Sequence, residues 1–187
     1  RIEAGVVQPQ VQAFRVQNLL NKIEREFVQQ ADAKGLAYRS RESALVLQSD
    51  PALVELILRN LVSNAIQYTQ HGGLLVTCRR RGEQALLEVW DTGMGIAASQ
   101  QAEVFREFHQ LGNPERDRSK GLGLGLAIVK GLAHTLGHAV SLSSSPQRGS
   151  VFRLALPLAP GSAPAVLPAP EDNAAWQPQR RVLVIDD

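Results

Sequence analysis

Two apolar stretches in the middle of the chain, near 74–80 and 85–90, predict a β-hairpin because only Arg81-Gly82-Glu83 separates them. Helical periodicity lies on both sides of this hairpin. The predicted helices cover about 10–33, 51–69, 99–105 and 123–136, and the other predicted strands lie near 44–48, 139–144 and 151–156. Because helices and strands mix without strict alternation, the sequence predicts an α/β fold with a mixed sheet packed on helices.

The composition limits the class of protein. With 187 residues, of which 44% are hydrophobic, the chain is long enough for one domain with a core. Its formal net charge of +2 argues against a dedicated nucleic-acid or membrane-surface binder. The single cysteine, Cys78, excludes an intramolecular disulfide framework, and no apolar run reaches the roughly 20 residues that span a bilayer. We therefore expect a cytoplasmic domain without nucleic-acid or membrane partners.

The two ends of the chain differ from its middle. The chain begins without Met, at R-I-E-A-G, and it ends on R-R-V-L-V-I-D-D. An apolar run before two carboxylates, Asp186 and Asp187, is typical of a buried strand, so 181–187 is interpreted as the start of a further domain. The Pro- and Ala-rich stretch 158–180 cannot build a core and predicts an extended linker.

Two asparagines on the second predicted helix form the first candidate site. Asp50 and Pro51 predict its start, as the N-cap and the first helical residue. Asn60 and Asn64 follow at i, i+4 and share one face, where amide oxygens could converge on a hard cation or a polar ligand. The alternative is two exposed asparagines, although the predicted apolar positions of this helix surround them: Leu53, Leu56, Ile57, Leu61, Ala65 and Ile66.

A carboxylate at the end of the hairpin forms the second candidate site. Asp91 follows the strand L-L-E-V-W, and Gly93 and Gly95 follow it. A carboxylate next to backbone without Cβ atoms suits a flat ligand that donates a hydrogen bond. An ordinary turn is the alternative. A dinucleotide fingerprint, Gly93-x-Gly95-x-x-Ala98, is disfavoured because Asp91 would place a negative charge beside the pyrophosphate.

A glycine run at the start of the last predicted helix forms the third candidate site. Free backbone N–H groups at a helix start suit the binding of phosphates. Arg118 and Lys120 come just before this run, and no Walker-type P-loop sequence occurs in the chain. The run consists of Gly121, Leu122, Gly123, Leu124 and Gly125.

The order of these motifs carries a family resemblance. Along the chain they read N-L-V-S-N-A-I-Q-Y-T, D-T-G-M-G-I, F-R-E-F-H-Q-L and G-L-G-L-G-L-A-I-V. This order resembles the catalytic ATP-binding domain of sensor histidine kinases, which shares its ATP fold with type II topoisomerases, mismatch-repair ATPases and heat-shock chaperones. The resemblance covers about 11–156 and implies a two-layer α/β sandwich of the Bergerat type.

The resemblance implies a role for each motif residue. Asn64 would bind the Mg²⁺ that bridges the ATP phosphates, and Asn60 would line the same site as a catalytic residue. Asp91 would accept a hydrogen bond from the adenine amino group, and Gly93 and Gly95 would let the base approach. Tyr68 would pack near the nucleotide. Residues 121–125 would present N–H groups to the phosphates, and Arg118 or Lys120 would neutralise charge on the γ-phosphate.

Asn60 also bears on the reaction. In the ATPase relatives the matching position is a glutamate that activates water, and an amide cannot act as that base. The resemblance therefore favours phosphoryl transfer to a protein side chain over hydrolysis by an ATPase of the same fold. A docking module without catalysis is the other alternative. Its only support is Gln67, at a position where the family often has a phosphate-binding lysine.

The resemblance also implies partners. None of the four histidines, His71, His109, His134 and His138, lies in an H-[E/D]-x-x-x-P box, so the phosphoacceptor is expected on a separate dimerisation domain. Residues 1–9 resemble the end of a dimerisation helix, 10–157 the ATP-binding domain, and 181–187 the first strand of a receiver domain. We therefore expect a hybrid histidine kinase that is a homodimer and passes phosphate to a receiver domain or response regulator.

Overall fold

The computed structural model describes residues 8–105 and 125–161. No helix in this part of the chain is long and apolar enough to cross a membrane. The elements are, in chain order, β1 (Gln12–Arg15), α1 (Val16–Ala33), β2 (Ala37–Ser40), β3 (Val46–Ser49), α2 (Pro51–Tyr68), β4 (Gly73–Arg81), β5 (Gln84–Asp91), α3 (Ala98–Gln101), α4 (Gly125–Leu136), β6 (Ala139–Ser145) and β7 (Gly149–Pro157).

The main sheet has five strands in the order β2-β4-β5-β7-β6. Its pairs are antiparallel except for β2 and β4, which run parallel. Alternate residues of the central strands, such as Val76, Leu87 and Leu154, belong to the same buried cluster as residues of α1, α2 and α4. The predicted hairpin and the predicted two-layer α/β sandwich with a mixed sheet are confirmed.

Helix α2 begins where local chemistry predicts. The Asp50 side chain accepts hydrogen bonds from the backbone N–H groups of Ala52 and Leu53, at 3.0 and 3.2 Å, and Pro51 is the first helical residue. Leu56 was expected on the apolar face, and this is wrong, since it is 37% exposed. It precedes the fully buried Ile57 by one residue, which turns it away by about 100° in an α-helix.

Two short strands were not predicted. The first predicted helix was expected from about residue 10, but Gln12–Arg15 forms β1, paired antiparallel with β3, and α1 begins only at Val16. Strand β2 pairs with β4 across 30 or more residues of chain, as in Ala37 opposite Gly73. Both pairings depend on distant partners, which local periodicity does not register.

Two other boundaries differ from the expected ones. The helix expected over 99–105 is a single turn, Ala98–Gln101. The chain also stays attached beyond Pro157, because Leu158 forms a bridge with Leu47 and the Ala159 N–H donates to the Val46 carbonyl at 2.9 Å. The first residues of the expected linker 158–180 thus contact the folded body, and its part beyond Gly161 lies outside the described residues.

Candidate functional site

A single pocket brings the separate motifs together. It lies between α2, the C-terminal end of β5, the N-terminal start of β7 and the start of α4. Its lining residues are Asn64, Ala65, Tyr68, Asp91, Met94, Gly95, Ile96, Val104, Leu126, Ser150 and Phe152. Four of the predicted site residues, Asn64, Tyr68, Asp91 and Gly95, are therefore on one surface.

Asp91 is held in a fixed orientation at the end of β5. Its Oδ1 accepts hydrogen bonds from the backbone N–H groups of Gly93, at 2.9 Å, and Ser150, at 3.2 Å. Within the described part of the chain, no protein group is hydrogen-bonded to Oδ2. Two donors on one oxygen restrict the rotation of the carboxylate, so Oδ2 is the oxygen left for a ligand.

The environment of Asp91 disfavours its charge. Burial raises the pKa of its carboxyl from 3.8 to about 6, and the two backbone hydrogen bonds oppose this rise. The carboxyl is thus mainly ionised at neutral pH and becomes protonated as the pH falls through about 6. An ionised, partly desolvated carboxylate is a strong hydrogen-bond acceptor for a ligand amino group.

The two glycines after Asp91 are required by backbone packing. Gly95 has a φ of +70°, and a Cβ there would lie 1.9 Å from the Ser145 carbonyl oxygen. A Cβ at Gly93 would lie 2.6 Å from the Tyr68 carbonyl oxygen. The loop therefore packs against α2 and the β6–β7 turn in a way that a side chain would prevent.

The two asparagines face the start of α4. A Cβ on Gly125 would lie 3.2 Å from Asn60 Oδ1 and 3.5 Å from the amide atoms of Asn64. The Asn60 Nδ2 donates to the Leu56 carbonyl at 2.8 Å, which turns Oδ1 toward Gly125. Amide oxygens are suitable ligands for a hard cation such as Mg²⁺. The described residues contain no cluster of three or more His, Cys, Asp or Glu side chains for a metal, so a cation here would rely on these amides and on oxygens of a bound ligand.

The family follows from a match to the model described as "Histidine kinase-, DNA gyrase B-, and HSP90-like ATPase", which covers residues 49–160. The chain belongs to this family. The match contains the asparagine pair, the Asp91 turn and the start of α4. The family predicted from the motif order is therefore confirmed.

Individual relatives agree with this assignment. Sensor protein TorS of Escherichia coli is 38% identical over 141 residues, which cover 75% of this chain and 15% of TorS. The autoinducer 2 sensor kinase/phosphatase LuxQ of Vibrio cholerae is 30% identical over an alignment of 198 residues in length, which covers 100% of this chain and 23% of LuxQ. The chain thus spans 15–23% of the length of these two relatives.

A solved structure gives the same result for the fold. Full-length ShkA in complex with AMPPNP matches with a TM-score of 0.73 and 28% identity, over 86% of this chain and 34% of ShkA. The backbone of this chain is therefore similar to that of ShkA over the matched part.

Several residues of the pocket of this ATPase domain were missed by the motif reading. Ser150 and Phe152 come from β7, where Ser150 lies opposite Asp91 in the sheet register. Gly149 is the sequence signal next to Ser150, because a Cβ at Gly149 would lie 1.9 Å from the Asp91 carbonyl oxygen. The apolar wall residues Ile96 and Val104 carry no comparable signal, since their role depends on tertiary contacts.

Lys34, which directly follows α1, contacts the end of α2 and was also missed. Its Nζ donates to the carbonyl oxygens of Ile66 and Gln67, at 2.7 and 2.9 Å, at the C-terminal end of α2. The Tyr68 carbonyl accepts from the Met94 N–H at 3.3 Å, which ties the same end of α2 to the loop after Asp91. A cation near helix C-terminal carbonyls is favourable.

The remaining predicted residues divide into two groups. Arg118, Lys120 and residues 121–124 of the glycine run, like His109, lie outside the described residues. His134 is exposed, whereas His138 is half-buried with Nε2 2.6 Å from Ser49 Oγ. Burial lowers the pKa of His138, whose ring contacts the residue before the Asp50 cap of α2.

Proposed function

We propose that this domain binds Mg-ATP in the pocket and donates the γ-phosphate to a histidine on a separate dimerisation domain, as in two-component signalling. The observation that carries the proposal is that Asp91 and Asn64 line the same pocket. Asn60 lies beside Asn64 on α2, and both face Gly125 at the start of α4. A carboxylate acceptor at one end and amide oxygens at the other match a purine base and its metal-bound phosphates.

The Asp91 end of the pocket favours adenine. Its Oδ2 is available to accept a hydrogen bond from an amino group, and Ile96, Val104 and Phe152 supply apolar contacts for a flat ring. Adenine carries an amino group at its 6-position, where guanine carries a carbonyl oxygen. An ionised Asp91 therefore attracts adenine and repels guanine at that position.

The asparagine end is proposed to hold the phosphates. Asn64 binds Mg²⁺, and Asn60 lines the same site with Oδ1 toward Gly125. Bound Mg²⁺ neutralises charge on the phosphate oxygens during phosphoryl transfer. Residues 121–125 bind phosphate through backbone N–H groups, and Arg118 or Lys120 neutralises charge on the γ-phosphate. The Asn60 amide has no basic group for activating water, which favours transfer to the histidine over hydrolysis.

The proposed partners rest on the family and on the similarity to its sensor kinases. The phosphoacceptor is proposed to lie on a separate dimerisation domain, since none of the four histidines lies in an H-[E/D]-x-x-x-P box. The similarity to LuxQ covers 100% of the chain, including 158–180 and 181–187. This supports a hybrid histidine kinase in which the ATP-binding domain precedes a receiver domain. The homodimer is proposed from the resemblance of residues 1–9 to the end of a dimerisation helix.

Calorimetric titration tests the nucleotide site. AMPPNP is titrated into the chain with and without Mg²⁺, and again into Asn64→Ala and the matched control Ser63→Ala, whose side chain is exposed one residue away. We expect Mg²⁺-dependent binding by the parent chain and by Ser63→Ala, and loss of the Mg²⁺ dependence in Asn64→Ala. Equal binding by all three would remove Asn64 from the site.

A further inference from the structure

Ile96, one wall of the pocket, is held through both of its backbone groups. Its N–H donates to Ser144 Oγ at 2.8 Å, and its carbonyl accepts from Gln101 Nε2 at 3.0 Å. Ile96 is only 7% exposed and lines the pocket next to Gly95. The position of this wall is therefore set by two side chains from outside the loop to which it belongs.

Gln101 makes the more demanding of these two contacts. Its Nε2 also donates to the Ser144 carbonyl at 3.2 Å, so both amide protons are used on buried carbonyl oxygens. The side chain is 6% exposed, and in the described part of the chain Oε1 has no hydrogen-bond partner. An unsatisfied buried oxygen is unfavourable, so the side chain is held in place by the two hydrogen bonds of its Nε2.

The turn that carries Gln101 supplies another part of the pocket. Val104 lines the pocket three residues later, and the ring of Phe105 meets that of Phe152 edge-on at 6.1 Å between centroids. Gln101 is thus the polar attachment of a turn whose apolar residues contact the pocket or its wall. Ser144 connects this attachment to the base-reading end, because its Oγ lies 2.7 Å from Ser150 Oγ and the Ser150 N–H donates to Asp91.

We propose that Gln101 is a positioning residue for nucleotide binding, whose amide holds Ile96 and the turn 98–105 against β6 so that the apolar wall of the base pocket is in place. The inference rests on the proposed function. If the turn must be docked for the base to bind, the apparent dissociation constant rises by the inverse of the docked fraction. Loss of both donors leaves two buried carbonyls unsatisfied, which favours the undocked turn.

The substitution Gln101→Glu tests the proposal with almost no change in shape. It replaces the amide donor by a carboxylate oxygen facing the carbonyls of Ile96 and Ser144. The matched control is Gln100→Glu, which makes the same change at the exposed neighbouring residue. With ADP and Mg²⁺ as the probe, we expect Gln101→Glu to weaken binding about tenfold or more relative to Gln100→Glu, well below the melting temperature of both variants.

The pH dependence tests whether the missing donor causes the loss of binding. Protonation of the introduced carboxyl restores one donor, so the difference between the two variants should shrink as the pH falls. On the turn 98–105 the only charged residue is the exposed Glu103, and neither β6 nor residues 92–97 contain one. Asp91 is ionisable in both variants, so the two are compared at the same pH.

A second variant covers the case in which Gln101→Glu fails to fold. Ser144→Ala removes the acceptor for the Ile96 N–H, and we expect faster amide hydrogen exchange at Ile96 together with weaker ADP binding. ADP binding that is equal in Gln101→Glu and Gln100→Glu, or a difference that stays constant with pH, would overturn the inference. Absence of binding by the parent chain would instead contradict the proposed function.

Discussion

Replacing Asp91 by asparagine should stabilise the fold while weakening adenine binding. Burial raises the pKa of this carboxyl from 3.8 to about 6, so the folded state is penalised whenever the group is ionised. The difference of about 2 pKa units corresponds to about 3 kcal/mol at about pH 7, as an upper value. Asparagine is neutral and can keep Oδ1 as the acceptor for Gly93 and Ser150.

The sign of the pH dependence follows from the raised pKa. Above about 6 the parent carries the full penalty, and below 3.8 the carboxyl is protonated in both the folded and the unfolded state. The advantage of Asp91→Asn should therefore be largest at neutral pH and fade as the pH decreases toward about 4. Urea unfolding of the parent and of Asp91→Asn, from about pH 4 to neutral pH, measures this difference in the free energy of unfolding. A destabilised Asp91→Asn at neutral pH, or an advantage that does not change with pH, would refute the argument.

The other predictions concern the backbone around the site. Gly95→Ala should unfold the chain or lower its free energy of unfolding by several kcal/mol, because its Cβ would lie 1.9 Å from the Ser145 carbonyl oxygen. A Cβ on Gly131, inside α4, meets nothing within 4 Å, so Gly131→Ala should raise the free energy of unfolding by about 1 kcal/mol. Thermal melting of the pair measures both signs, and a stable Gly95→Ala would contradict the loop packing. Asp50→Ala should cost about 1–2 kcal/mol through loss of the α2 cap and the Gln10 N–H bond. A cost within error in urea unfolding would show that the cap is dispensable.

Local signals predicted α2 and the hairpin, and long-range signals were missed. Asp50 and Pro51 start α2 through contacts within three residues, so the start of this helix can be predicted from the local sequence alone. Strand β1 needs its partner β3, more than 30 residues away, and its residues read equally well as helix. The same limit explains Leu56, whose exposure depends on which elements cover α2.

The site residues also divide into those with a local sequence signal and those whose role depends on distant contacts. Asp91, Asn60 and Asn64 were predicted because each carries a polar group at a characteristic spacing. The orientation of Asp91 depends on Ser150, which lies opposite it only once β5 and β7 pair. The contacts of Gln101 with Ile96 and Ser144 join three segments of the fold. No periodicity marks such a residue, because a buried polar network is a property of the packed structure.

Phosphoryl transfer to histidine is the central claim, and one measurement tests it directly. The full-length protein, in which we propose a dimerisation domain, is incubated with γ-labelled ATP and Mg²⁺, alongside its Asn64→Ala and Ser63→Ala variants. We expect an acid-labile phosphohistidine in the parent and in Ser63→Ala, and none in Asn64→Ala. Release of free phosphate without any phosphohistidine, from a protein that binds Mg-ATP, would contradict it.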